Sequence, residues 1–192
     1  ALLAADYPVI ATAATGCLEV ATSIHPYSAW RVPWIHSAFE NAAATASGME
    51  AMYQSLKKQG KLPADTERRF IAFGGDGASF SEGVGHMVHT VRSHYPFVFC
   101  LHNNGNYGLT TGQASSLTPQ GQPMNSSPNG IPEHTLPSMD FIFSLQPTFV
   151  ARGFTGNIPQ MVTILKAAIQ HRGFAFVDML QACPTYNHFA TH

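Results

Sequence analysis

The chain has 192 residues, of which 45% are hydrophobic and only 11% charged, with a formal net charge of −1. That length suits one domain with a sizeable core, and the near-zero charge leaves no basic field for nucleic acid or an anionic membrane surface. No apolar run reaches bilayer-spanning length, and the three cysteines (Cys17, Cys100, Cys183) form neither a disulfide framework nor a zinc spacing.

In chain order, Ala1-Leu2-Leu3-Ala4-Ala5 is too short for a signal peptide, and the absent initial methionine reads as an N-terminally incomplete chain. Pro8 to Ala13 reads as a buried strand that runs into a small-residue turn, Ala14 to Cys17. Residues 23–35, with Pro26, Pro33, Trp30 and Trp34, read as an aromatic loop. Ser37 and Glu40 fit a capping box that starts a helix running to about Gln59, with Gly60 ending it. Phe70 to Phe73 is a second strand, and residues 79–94 fit a helix containing Gly83 and Gly85, glycines that suit close backbone approach near a ligand. Phe97 to Leu101 is a further strand with Cys100 in its core. Residues 111–137 form a Gly-, Pro-, Ser- and Asn-rich loop long enough to be functional or an interface. Thr148 to Arg152 is a strand, 158–171 a helix by its apolar spacing, and Phe174 to Met179 the last strand. Strands apolar on both faces alternating with helices give an α/β fold, a parallel sheet flanked by helices, over residues 1–192 as a single domain.

Two turns carry the chemistry. Gly74-Gly75-Asp76-Gly77-Ala78 ends one strand, and Asn103-Asn104-Gly105-Asn106-Tyr107-Gly108-Leu109-Thr110-Thr111-Gly112-Gln113 ends another. Either alone reads as an ordinary tight turn. With one helix between them, both belong at the carboxyl edge of the sheet, where they converge on one ligand. Glycines admit a phosphate close to the backbone and the following helix aims free N–H groups at it. The carboxylate of Asp76 and the amide of Asn104 suit magnesium, which takes oxygen ligands and shares its shell with phosphates.

These turns resemble the thiamine-diphosphate signature of 2-oxoacid:ferredoxin oxidoreductase β subunits. The segments 14–20 and 30–42 look like the pyruvate type. Gly153-Phe154, 169–174 and Cys183-Pro184-Thr185-Tyr186-Asn187 look more like the broad-range type. The resemblance implies a thiamine-diphosphate-binding fold and reversible oxidative decarboxylation of a 2-oxoacid, pyruvate preferred. The acyl group passes to coenzyme A and electrons pass through iron–sulfur clusters to ferredoxin. It implies Asp76 and Asn104 as magnesium ligands through side chains and Asn106 through its backbone carbonyl, where the family usually has an apolar residue. It places Gly75, Gly77 and Ala78, helped by Thr110, against the diphosphate, and Tyr107, Gly108 and Leu109 beside the cofactor. Gly16, Cys17 and His36 match positions near the thiamine, with His36 the candidate catalytic residue. Thr111 stands where the family commonly has glycine.

Cys17 and Cys183 match two of the four ligands of a [4Fe–4S] cluster. The other two, a Cys-x-x-Cys expected upstream of Cys17, are absent from this sequence, and the alternative for the two thiols is small buried hydrophobes. The implied partners are an α subunit, with γ and δ subunits as further candidates, and ferredoxin. Neither nucleic acid nor membrane is among them, and the setting is reducing and cytoplasmic. The α chain is expected to bring the glutamate that activates the aminopyrimidine, so Glu40 reads as a helix cap. The remaining histidines, among them His86, His89, His94 and His102, show no ligand spacing. Trp30 and Trp34 read as packing. Two rival readings stand beside this one: a cluster-free thiamine-diphosphate decarboxylase or carboligase, and a non-catalytic binding subunit.

Overall fold

The computed structural model describes residues 8–187; the Ala1 to Ala5 segment lies outside them. Six strands form one all-parallel sheet: β1 (Val9–Ala14), β2 (Trp34–Ser37), β3 (Arg69–Gly75), β4 (Val98–Asn103), β5 (Phe149–Phe154) and β6 (Ala175–Leu180). Their order is β2-β1-β3-β4-β6-β5.

The apolar runs explain why the central strands sit where they do. In β4, Phe99 and Leu101 enter one core while Val98 and Cys100 enter the other. Both faces are thus covered, as a parallel sheet requires. On one face lie α2 (Ala42–Lys58), α3 (Val84–Arg92) and α4 (Ser138–Ser144), on a core that includes Phe99, Phe176 and Met87. On the other lies α5 (Ile158–Gln170), which buries Met161, Ala168 and Ile169 against Val98, Cys100 and Val177. Asn157 caps α5 by accepting the Gln160 N–H at 3.2 Å.

Several sequence expectations are corrected. Ser37 does not cap a helix. It ends β2, paired with Ala14, and α2 starts at Ala42 after Asn41. The β1 pairing holds Ser37 in extended backbone, and the Thr15 N–H donates to its carbonyl at 3.0 Å. Trp34 and Ile35, assigned to a loop, belong to the same strand. Cys17, assigned to a turn, opens α1 (Cys17–Thr22). The helix expected over 79–94 is broken at Gly83 into a π-helical turn, Ala78–Glu82, and α3. Gly83 is not a ligand contact: a β-carbon there would lie 2.4 Å from the Ala78 carbonyl and 3.0 Å from that of Glu40, while Gly85 faces open space. The loop over 111–137 holds no helix or strand, and α4, unanticipated, follows it.

Connections leave β1 toward β2 on one side and β3 toward β4 on the other. The chain thus turns opposite ways after β1 and after β3, and the gap above their carboxyl ends is the topological switch point where open α/β sheets bind ligands.

Candidate functional site

A cleft partly open to solvent lies at this switch point. Its lining comes from residues within 13–18, 73–78 and 102–110, with Phe39. The sequence-predicted Gly16, Cys17, Gly75, Gly77, Ala78, Asn104, Asn106, Tyr107, Gly108, Leu109 and Thr110 all line it.

Asp76 lies just beneath this lining, 1% exposed, and Asn104 is 8% exposed. The two turns meet directly: the Asn104 backbone N–H donates to Asp76 Oδ1 at 3.3 Å. The Ser115 hydroxyl donates to Asp76 Oδ2. Among the described residues no basic side chain pairs with Asp76. Burial therefore pushes its carboxyl up to about 7, against the pull of the Ser115 and Asn104 hydrogen bonds. Asn104 Oδ1 accepts the Asn106 N–H at 3.2 Å, which closes an Asx turn. The Oδ1 of Asn106 is buried without a hydrogen-bond partner.

The residues present fit a magnesium diphosphate. The buried Asp76 carboxylate, without a counter-ion, is hydrogen-bonded to the turn that carries the Asn104 amide oxygen and the unpartnered Asn106 Oδ1, and all are hard donors. A β-carbon on Gly75 would meet no atom within 4 Å, so the backbone there faces the cleft bare. Among the described residues no three His, Cys, Asp or Glu cluster, and a site of one carboxylate, one amide and one carbonyl is not such a cluster.

Two glycines in these turns serve packing. A β-carbon on Gly77 would fall 2.2 Å from the Tyr107 ring, whose hydroxyl donates to Glu82 at 2.9 Å. A β-carbon on Gly108 would lie 2.8 Å from Cys17 Sγ and 3.6 Å from Cys183 Sγ. The fold thus brings these two thiols to one spot although 166 positions separate them. The Asn104 amide reaches Cys17 Sγ and the Asn106 amide Cys183 Sγ, each at 3.8 Å. Burial raises the Cys17 thiol. Burial also pushes Cys183 up, but N–H groups of Tyr186, Thr185, Asn106 and Asn187 outweigh it and leave that thiol below its ordinary value. Cys100 is fully buried in β4, and burial alone lifts it to about 12.

His36 sits outside the lining. Its Nε2 is 2.7 Å from the Thr15 hydroxyl, which lines the cleft, and 3.8 Å from Glu19. Trp34 stacks on His36 and on Trp30, so the tryptophans are packing, as expected. Sequence reasoning missed Thr15, Ser115 and His102. His102, next to the end of β4, pairs with Gly75 and hydrogen-bonds Gln181 at 2.9 Å, and burial lowers its basicity. Nothing in its spacing marked it; only the strand register brings it to the cleft.

Known proteins match this arrangement. The family model for the thiamine pyrophosphate enzyme, C-terminal TPP binding domain, covers residues 14–179. The pyruvate synthase subunit PorB of Methanocaldococcus jannaschii is 37% identical over 96% of this chain and 63% of its own length. That of Thermotoga maritima is 45% identical over 65% of this chain and 38% of its own length. The chain thus spans between 38% and 63% of the length of these relatives. A solved 2-oxoglutarate:ferredoxin oxidoreductase from Magnetococcus marinus, with 2-oxoglutarate, coenzyme A and succinyl-CoA bound, superposes with a TM-score of 0.79 at 30% identity, over 95% of this chain and 57% of that one. By its turns, its sheet and these matches, the chain belongs to the thiamine pyrophosphate enzymes and is a homologue of the β subunits of 2-oxoacid:ferredoxin oxidoreductases.

Proposed function

We propose that this chain is a single thiamine-diphosphate-binding domain of a 2-oxoacid:ferredoxin oxidoreductase β subunit, with pyruvate as the preferred 2-oxoacid. It works beside an α subunit, with γ and δ subunits as further partners, and passes electrons to ferredoxin and an acyl group to coenzyme A. Its setting is the cytoplasm; among the described residues no helix is long and apolar enough to cross a membrane. The observation that carries the reading is the 3.3 Å hydrogen bond from Asn104 to Asp76, which makes one site of two turns at the switch point. The names of the relatives support the activity.

Asp76 and Asn104 would hold Mg2+ through side-chain oxygens and Asn106 through its backbone carbonyl. Gly75, Gly77 and Ala78, with Thr110, would hold the diphosphate. Tyr107, Gly108 and Leu109 would flank the cofactor, with Gly16 and Cys17 on the facing wall. When bound, thiamine diphosphate supplies the carbanion chemistry that splits carbon dioxide from a 2-oxoacid. His36 is assigned to proton movement at the mouth of the cleft, through the Thr15 hydroxyl at 2.7 Å. His102, its basicity lowered by burial, hydrogen-bonds Gln181 at 2.9 Å, which orients its ring at the cleft. Cys17 and Cys183 are assigned to a [4Fe–4S] cluster. They do not complete it, because a cubane takes four thiolates and Cys100 is locked in the sheet. The remaining ligands would come from outside the described residues.

The test is turnover by the purified native complex. Pyruvate should reduce ferredoxin only in the presence of coenzyme A, with kcat/KM above that for 2-oxoglutarate. Aldehyde release without coenzyme A or ferredoxin reduction would replace this reading with a cluster-free decarboxylase. Cofactor-loaded complex with no turnover of any 2-oxoacid would replace it with a binding subunit.

A further inference from the structure

The long loop after the second turn has a role that its composition does not show. Its first part, Ser115 to Thr118, is buried and stitched to both metal-site turns at once. The Ser115 hydroxyl donates to Asp76 Oδ2. The Thr118 hydroxyl donates to the Gly105 carbonyl at 2.7 Å and accepts the Ser115 N–H at 2.8 Å. Ser116 fastens the same stretch to the π-helical turn, donating to the Phe80 carbonyl at 3.0 Å. Ser115 and Thr118 are 8% and 2% exposed, so water does not compete for these bonds.

The proton inventory fixes the direction of the key bond. Ser115 Oγ accepts the Leu117 N–H at 3.2 Å, and Thr118 commits its only hydrogen to Gly105. The Ser115 hydrogen is therefore left for the carboxylate. With Asn104 N–H on Oδ1 and Ser115 on Oδ2, the Asp76 carboxylate is pinned through both oxygens, and each keeps lone-pair capacity for a cation. From these contacts we infer that Ser115 is a positioning residue for the metal site, with Thr118 as its anchor: the loop presets the angle at which Asp76 meets a divalent ion. The inference rests on the reading of Asp76 as the magnesium carboxylate and names a residue outside the two turns that sets its affinity.

Neither residue lines the cleft, and their side-chain bonds to the two turns are those to Asp76 and Gly105. That separates positioning from general loop stability. Thr135 also stitches the loop, donating to the Thr118 carbonyl at 3.0 Å and accepting the Gln120 N–H at 3.1 Å, hydrogen bonds that lie within the loop.

The experiment titrates Mn2+ into the native complex with thiamine diphosphate, reading the loss of the free-ion signal by electron paramagnetic resonance. Ser115→Ala should weaken Mn2+ binding by about tenfold or more, the usual range for groups that hold a metal ligand. Ser115→Thr should restore it, because the hydroxyl donor returns. Thr118→Val should weaken it too, and Thr135→Val should leave it unchanged. Wild-type affinity in Ser115→Ala, no rescue by Ser115→Thr, or equal loss in Thr135→Val would each overturn the inference. Should Ser115→Ala not fold, tight binding in Thr118→Val alone overturns it. A wild-type complex that takes up thiamine diphosphate without any divalent ion overturns the metal-site reading itself, a result distinct from all of these.

Discussion

Thr111 holds a φ of +82°, a left-handed conformation in which a β-branched residue is an outlier. Its backbone is fixed there by the Asn125 amide on its carbonyl and by its own N–H on Gly108 at 3.2 Å. The resemblance implied glycine at this position, and the left-handed backbone is one that glycine adopts without steric cost. Thr111→Gly should relieve about 1–2 kcal/mol of local cost. Glycine also frees the unfolded chain, which offsets about 0.4–1 kcal/mol. The net expectation is a rise of about 1 kcal/mol, seen as a higher denaturant midpoint; a lower midpoint would show that the threonine side chain supports the loop. At this scale Asp76 and Asn104 were legible because each closes an apolar run with a hard oxygen donor. Ser115 and Asn187 were not. Ser115 reaches Asp76 across 39 residues and Asn187 reaches the Asn104 carbonyl across 83, and no local pattern encodes either contact.

Among the elements, the central strands were legible and the edge was not. β3, β4 and β6 are apolar on both faces, a signal that survives any register. β2 is four residues long, paired on one side only, and its Trp34-Ile35-His36-Ser37 reads equally well as a loop and a helix cap. Its pairing with β1 decided against the capping box. The helix after Asp76 was half legible: it is interrupted at Gly83, where the Ala78 and Glu40 carbonyls leave no room for a β-carbon. The elements that carry the site rest on a ring stack at the sheet centre, Phe99 on Phe176, with centroids 6.2 Å apart and 2° between planes. Both rings are almost wholly buried. Phe176→Ala should therefore cost about 3–5 kcal/mol, measured by chemical denaturation. A loss below about 1.5 kcal/mol, the usual limit for a volume-conserving swap, would mean that the core between β4 and β6 collapses to fill the gap.

At the scale of the molecule, one sheet order explains where the chemistry can be. The connections leaving β1 and β3 diverge, and the residues expected beside the cofactor, His36 apart, lie at the ends of β1, β3 and β4 or on the turns that follow them. Only His36 approaches from β2, through Thr15. The sequence could announce two of those turns, because glycines and hard oxygens mark them. On the cleft's far wall the resemblance reached Gly16 and Cys17, while Thr15 needed the strand register. The central claim is that the Asp76 and Asn104 turns together hold a magnesium diphosphate. Calorimetry of thiamine diphosphate binding to the native complex, with Mg2+ and with chelator, tests it against the Asp76→Ala variant. The account predicts Mg2+-dependent binding in the wild type and none measurable in Asp76→Ala. Unchanged cofactor affinity in that variant would contradict it.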